Sequence, residues 1–346
     1  MLKRSAFLSP NPPIPKRQTV SVVVVTWNGL ALLQSCVTAL QQQTVAHELV
    51  IVDNDSRDGT LAWVSAALPD ARVVALPLNT GFSEGNNQGI RAATGELVVL
   101  LNNDTVPQPD FLDALTAPFA AQPRLGATAG VLLFAHRPAL VASAGITVGR
   151  DLVHRDAWAL TLAENLPSQP VPVWGASGGA VCYRRAALDD VGLFPPQFFA
   201  YLEDADLAWR LRLRGWETLM MPAARTLHVY SATSGEGSPF KQRLLARNRW
   251  WLLARCVPAA VWAHCAAAVR YDLLAFAYAA IKRQGAIARG RFAALPGMGR
   301  ALHERRRIQG RRTAATVDLA RWLSPPPTIR ATLDAARQLD AVLGER

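Results

Sequence analysis

The sequence predicts an α/β fold, a mixed, mostly parallel sheet flanked by helices. Three observations carry the prediction. Short β-branched runs recur along the N-terminal third: "SVVVVT" from Ser21, "LVIVD" from Leu49, "RVVAL" from Arg72 and "ELVVLLN" from Glu96. Strands that are apolar throughout are those buried on both faces of a parallel sheet. Helix-compatible segments alternate with them, giving a β-α-β-α-β-α-β series with right-handed crossovers. Finally, the residues just past each strand are short and polar, at the carboxyl edge where such sheets bind ligands.

The elements follow in order. Strand one empties into Thr26, Trp27 and Asn28, before the helical segment "GLALLQSCVTALQQQ". Strand two ends at Asp53, Asn54 and Asp55, and "DGTLAWVSAAL" follows. Strand three leads to Asn79, Thr80 and Gly81, then to "SEGNNQGIRAAT", which Gly95 ends. Strand four runs into Asn102, Asn103 and Asp104. Any one of these loops is what turns and helix N-caps use. All of them on one edge argue for a ligand crevice, and the glycines of "NTGFSEGNNQGI" exceed what a cap requires. There is no GxGxxG after strand one and no GxxxxGK[ST], and "GASGGA" from Gly175 matches neither, so dinucleotide and P-loop readings lose their main support.

Beyond Asp104, "PQPDFLDALTAPFAAQP" reads as a helix and "GATAGVLLF" as a strand. From His136 to Pro172 the pattern assigns no element. "VPVWGASGGAVCYRRAALDDVGLF" gives a strand and a short helix. Then Glu203, Asp204 and Asp206 follow Phe198, Phe199, Tyr201 and Leu202 at the start of a further helix. Carboxylates there complement the helix dipole, each contributing about 0.3 to 1 kcal/mol, and Asp206 with Arg210 fits an i,i+4 pair. Capping does not explain the aromatic residues in front of them. A partly dry wall raises a carboxylate's pKa toward the operating pH, as a general base needs.

The chain has 346 residues and a formal net charge of +11, so polyanions, anionic membrane surfaces or phosphorylated substrates are its natural partners. No nucleic-acid-binding motif is present, so nucleic acid is not expected among them. Cys36, Cys182, Cys256 and Cys265 lack CxxC spacing and read as buried thiols in a reducing compartment. Residues 1–18 read as a flexible tail whose apolar patch is too short for a secretory signal, and no uncharged run reaches membrane-spanning length. After "RNRWWLLARCVP" the character changes. Pro258 opens a helix expected to run to about Arg283, apolar on most faces and carrying Trp262, Tyr271, Phe276 and Tyr278. Residues 282–312 then hold ten Lys or Arg and a single acid, Glu304. That combination suits an in-plane anchor on an anionic cytoplasmic leaflet, or else a helical subdomain with a solvated basic face. The expected division is a tail over 1–18, a main domain over 19–255 and a basic helical region over 256–346.

Six motifs in order, "VSVVVVTWNG", "VDNDSRDGT", "NTGFSEGNNQGI", "LLNNDT", "FFAYLEDADLAWRLRLRGWE" and "HVYSATSG", resemble the inverting glycosyltransferases of family 2, which have a GT-A fold, and within them the rhamnosyltransferase-like branch. The resemblance covers roughly residues 20 to 255. It implies nucleotide contacts from Thr26, Trp27, Asn28, Asp53, Asn79, Gly81, Asn86, Asn87, Asn102 and Asn103. Asp53 would accept from the pyrimidine N3–H, and Trp27 stands where a tyrosine is more usual. It implies a divalent cation, Mg²⁺ or Mn²⁺, held by Asp104 and His228; Asn102 to Asp104 occupy the place of the DxD motif with an uncharged first residue. One or two protein carboxylates suffice for Mg²⁺ when substrate phosphates complete its shell. Asp204 is implied as the base that takes the acceptor hydroxyl proton, with Trp174, Gly175 and Glu203 on the acceptor side.

The implied partners are a dTDP- or UDP-sugar donor, a glycan or polyprenyl-diphosphate-linked acceptor and a membrane surface, the protein being cytoplasmic and peripheral on the inner face of the cell membrane. dTDP-L-rhamnose is the donor expected by branch, with UDP-linked galactofuranose, N-acetylglucosamine and other hexoses open. The alternatives are a sugar-1-phosphate nucleotidyltransferase, which would want a Gly-rich basic loop where "TWNGL" stands, and an inactive membrane-associated scaffold, against which Asp104, Asp204 and His228 weigh.

Overall fold

The computed structural model describes residues 18–229, 237–263, 265–281 and 285–344. The expected tail, but for Gln18, lies outside these, as does "HVYSATSG" beyond Val229.

The N-terminal half alternates as its apolar periods predict: β1 (Val20–Thr26), α1 (Leu30–Gln41), β2 (Glu48–Asp53), α2 (Thr60–Ala67), β3 (Arg72–Ala75), α3 (Gly81–Ala92) and β4 (Leu97–Asn102). There follow β5 (Thr105–Pro107), α4 (Phe111–Thr116), β6 (Leu125–Phe134), β7 (Arg137–Ser143), β8 (Ile146–Gly149), β9 (His154–Asp156), β10 (Val171–Pro172), β11 (Ala180–Arg184), α5 (Arg185–Val191), α6 (Glu203–Leu213) and β12 (Glu217–His228). The C-terminal part comprises α7 (Pro239–Cys256), α8 (Ala259–Trp262), α9 (Ala266–Ile281), α10 (Gly285–Ala294), α11 (Met298–Gly310), α12 (Thr316–Ala320), β13 (Leu323–Ser324) and α13 (Ile329–Gly344).

The main sheet runs β10-β12-β6-β11-β4-β1-β2-β3. β3, β2, β1 and β4 are parallel, whereas β11 is antiparallel to both β4 and β6, which makes the sheet mixed. Side-chain alternation divides β1 between two cores. Val20, Val22 and Val24 face the layer of α1, α4 and α13, and Val23 faces the layer of α3, α5 and α6. α3 lies close on β1 because Gly85 and Gly89 face it; a Cβ at either would collide with Val25 or Val23. Those glycines, read in the sequence as room for a ligand, serve helix-on-strand packing.

One C-terminal expectation changes. The single helix expected from Pro258 to about Arg283 is two, α8 and α9, with Ala263 in a turn and the buried Cys265 between them. These helices pack against the rest of the chain. Ile146, Trp174, Ala205, Ala208 and Trp209 share one apolar core with Trp251, Leu252, Val257, Val261, Ala268 and Ala294. β13 pairs with β8, and Val342 of α13 packs into the core under α1 and α4. All four cysteines are buried thiols.

Candidate active site

The carboxyl ends of the parallel strands are level. Thr26 stands opposite Asp53 and Val25 opposite Asn102, so the loops after β1, β2 and β4 leave the sheet side by side. Asparagines tie them together. Asn28, at φ 49°, receives Arg57 N–H on Oδ1 at 2.7 Å and donates its own N–H to Ser56 Oγ at 2.9 Å. Asn103 Nδ2 donates to Thr26 Oγ1 at 3.0 Å. Asn79 Oδ1 accepts from Gly81 N–H at 2.9 Å. Gly81, at φ +79°, closes the turn where a Cβ would lie 2.5 Å from the Phe199 carbonyl oxygen.

The organiser of this edge is Asn54. It is buried, accepts from Thr80 N–H and Oγ1, and donates to Asn79 Oδ1 and the Gly81 carbonyl. Its position after β2 was the available signal, but a capping asparagine looks the same in sequence. Beside it Asp53 is buried, with Oδ2 accepting from Ser56 N–H at 3.3 Å while Oδ1 has no hydrogen-bond partner among the described residues. A buried carboxylate oxygen left open at a ligand edge is a place for a donor to arrive. Trp27 lies at the rim, 41% exposed.

Asn86 and Asn87 do not join this group. Asn86 Nδ2 donates to the Phe82 carbonyl within α3. Asn87 is fully buried, exchanges two hydrogen bonds with the Phe194 backbone and donates to Glu84. Both side chains are taken up in holding the wall of the crevice.

Asp104 and His228 meet by backbone pairing. Thr105 on β5 stands opposite His228 on β12, and Val229 N–H donates to the Asp104 carbonyl at 3.0 Å. Asp104 Oδ1 and His228 Nε2 are 3.2 Å apart, both residues buried. One carboxylate oxygen and one imidazole nitrogen presented together fit a divalent cation of the Mg²⁺ or Mn²⁺ kind. Among the described residues no cluster of three or more His, Cys, Asp or Glu surrounds such a position, so a donor's phosphates would complete the shell.

The carboxylate helix joins the same edge through two glycines. Gly178 N–H donates to Asp204 Oδ2 at 3.1 Å, and the adjacent Gly179 carbonyl accepts from Asn102 N–H at 3.0 Å. Asp204 Oδ1 accepts from Ala205 N–H at 2.7 Å. Asp204 is half-buried. Burial raises its pKa to about 6, against the two N–H groups that pull it down. Glu203 is buried with Oε2 unpartnered among the described residues, and burial, then the neighbouring Asp204, push its pKa well above the carboxylate range. Asp206 behaves oppositely. Burial alone would raise it, but Arg255 and Arg210, on its two oxygens at 2.8 and 2.7 Å, bring it to about 2.

Trp174 and Gly175 sit behind this helix. The Trp174 ring lies in the core, edge-on to Trp209 at 4.6 Å between centroids, and Gly175 passes so close beneath α6 that a Cβ would collide with Ala208. They position α6 and present no surface to an acceptor.

The chain entering α6 is strained. Phe199, Tyr201 and Leu202 all have left-handed φ, at 65°, 71° and 66°, which bulky residues adopt only when the surroundings enforce it. The enforcement comes from α7. Asn248 Nδ2 donates to the carbonyls of Phe198, Ala200 and Tyr201, and Arg247 donates to those of Gln197 and Phe198.

A family model described as "Glycosyltransferase like family 2" matches residues 15–252. N-acetylglucosaminyl-diphospho-decaprenol L-rhamnosyltransferase of Mycobacterium tuberculosis is 27% identical over 237 residues, 62% of this chain and 77% of that protein. Succinoglycan biosynthesis protein ExoO of Rhizobium meliloti is 41% identical over 106 residues, 30% of each chain. A crystal structure of GalNAc-T7 with UDP, GalNAc and Mn²⁺ matches with a TM-score of 0.57 at 17% identity, covering 68% of this chain and 47% of that one. At that identity the likeness speaks for the fold, which is GT-A. With its motifs in order along a GT-A sheet and the family model spanning most of its length, the chain belongs to the family 2 glycosyltransferases.

Proposed function

We propose that this protein is a metal-dependent, inverting glycosyltransferase that moves L-rhamnose from dTDP-rhamnose to a polyprenyl-diphosphate-linked or glycan acceptor in cell-surface polysaccharide synthesis, at the inner face of the cell membrane. Residues 19–255 form its catalytic unit and 256–346 the buttress behind it. The observation that carries the reading is the Gly178–Gly179 link, which sets the half-buried carboxylate of Asp204 beside the loop that ends at Asp104. The mycobacterial relative, whose name specifies L-rhamnosyl transfer and a diphospho-decaprenol, supports the choice of donor sugar and acceptor class.

Asp53 Oδ1 would accept from the base, with Trp27 beside it. Asp104 and His228 would hold the cation, which offsets negative charge on the departing diphosphate. Asp204 takes the proton of the acceptor hydroxyl as that oxygen bonds to the anomeric carbon and the bond from that carbon to the nucleoside diphosphate breaks. The displacement is a single in-line step, so configuration inverts and no enzyme nucleophile is required. Gly178 N–H fixes the Oδ2 of the base, and a pKa near 6 leaves it ionised yet basic at neutral pH.

The reading is tested by incubating the purified protein with dTDP-, UDP- and GDP-sugars, with Mg²⁺, with Mn²⁺ and with EDTA, and assigning the product anomer by NMR. Metal-dependent release of dTDP with inverted product is expected. A retained anomer or an EDTA-insensitive reaction would contradict it.

A further inference from the structure

The outward face of α9 is apolar almost throughout. Val269, Leu273, Leu274, Tyr278 and Ile281 are all exposed, at 56, 65, 47, 45 and 79%. Only Ala268 and Ala279 of this helix are buried. A helix lying on a globular domain in water turns its apolar stripe inward and its charges outward. Here the arrangement is reversed. The acid of α9, Asp272, points inward and pairs with Arg249 of α7 and Arg291 of α10. Arg249 also lies over the Tyr271 ring and Arg291 over the Phe276 ring. These contacts hold the helix in place and leave the apolar strip facing away from the protein. Arg270 is the one charged residue exposed on that strip.

We infer that this strip is a lipid-docking surface that lies in the plane of an anionic membrane. The inference rests on the membrane-side acceptor reading above and names the surface that would serve it. The length fits an interfacial position, since 16 residues make about 24 Å of helix, and no helix among the described residues is long and apolar enough to cross a membrane. The charge fits as well. The chain carries +11, and ten Lys or Arg lie in residues 282–312, with exposed arginines at 289, 300, 306 and 307 on the helices that follow α9. Tyr271 and Tyr278 border one side of the strip, where amphipathic rings suit the headgroup level. A second copy of this chain is the poorer occupant, because it would bury Arg270 against apolar residues with no acid on the strip to receive it. Lipid headgroups receive it by snorkelling.

The surface is also placed for use. α7 carries Phe240 and Lys241 against Phe199 and Tyr201 of the active-site loop, and Arg249 and Trp250 against α9. The two contacts are roughly two and a half turns apart, or about 14 Å, so a lipid-linked acceptor at the bilayer surface would present its sugar to Asp204.

The test is co-sedimentation of the full chain with vesicles of phosphatidylglycerol and phosphatidylcholine or of phosphatidylcholine alone, beside the Leu273→Glu/Leu274→Glu variant. Thermal midpoint, dTDP binding and oligomeric state are read on the same preparations. The native chain should bind the anionic vesicles, and the variant at least about tenfold more weakly, with midpoint and dTDP binding unchanged. Equal binding by variant and native chain, no binding by the native chain, or a variant that loses self-association instead would overturn the inference. Failure of dTDP binding in a native chain that still binds vesicles would sink the dTDP-donor reading and leave the lipid surface standing.

Discussion

Arg255 of α7 places its Nε 2.8 Å from Asp206 Oδ2 in α6, so α6 is bound by charge to the helix that opens the C-terminal region. Arg210 takes the other oxygen, and Arg255 also pairs with Glu304 of α11. Asp206→Asn would leave two buried guanidiniums short of their counter-charge, at a cost of about 3 to 5 kcal/mol read in urea unfolding. The linkage has a definite sign. The folded pKa of Asp206 is depressed to about 2, so its contribution is full above the unfolded value near 3.9 and is lost as pH falls toward 2. A variant with unchanged stability would show the cluster to be inert.

Removal of residues 258–346 should cost the fold and not merely an appendage. Val261, Ala268, Ala294, Leu319 and Leu323 pack in one core with Ala205, Ala208 and Trp209 of α6. The shortened chain should lose near-UV circular dichroism and cooperative unfolding. A stable, cooperatively folding 1–257 fragment would refute this shared-core account.

Asn248 donates to three carbonyls of a loop with left-handed aromatic residues, so Asn248→Ala should lower stability by about 1 to 3 kcal/mol. It should lower kcat/KM by more than the loss of folded protein explains. Active-site titration with a nucleotide separates the two effects. An active fraction that accounts for the whole loss would make Asn248 a fold residue only.

Asp204 must be ionised to accept a proton, and burial sets its pKa near 6. The rate should therefore rise with pH through about 6 and level off above it. Profiles of kcat/KM between pH 5 and 8 check this, and a flat profile would remove Asp204 as the titrating base.

His228→Ala or Asp104→Asn should raise the Mn²⁺ concentration for half-maximal activity about tenfold or more, while leaving the unfolding midpoint of the metal-free protein near that of the native chain. Manganese titrations of native and variant enzyme measure it. Unchanged metal dependence would place the cation elsewhere.

Legibility in the sequence followed apolar periodicity. β1, β2, β4 and β6 are buried almost end to end, so their hydrophobic runs stand out, and β3, although its ends are exposed, is marked by the β-branched pair Val73 and Val74. β8 and β9 are short, β9 is made of His154, Arg155 and Asp156, and β7 opens on Arg137 and Pro138 with its first residues exposed, so no apolar run marks them. At the candidate site, the residues next to strand ends are legible as one edge because topology alone puts them there. Trp174 is assigned to the acceptor side only through the resemblance, and the approach of α6, which no local pattern announces, shows it covered. Arg247 and Asn248 match the family's pattern in the sequence, but what Asn248 does is not legible there, since the loop it restrains lies some fifty residues earlier in the chain.

Asp204 as the proposed base is tested most directly by comparing Asp204→Asn with the native chain for sugar transfer and for donor binding. Transfer should fall by about 10²-fold or more, with donor affinity and thermal midpoint held. Substantial residual turnover with intact donor binding would take Asp204 out of the chemistry.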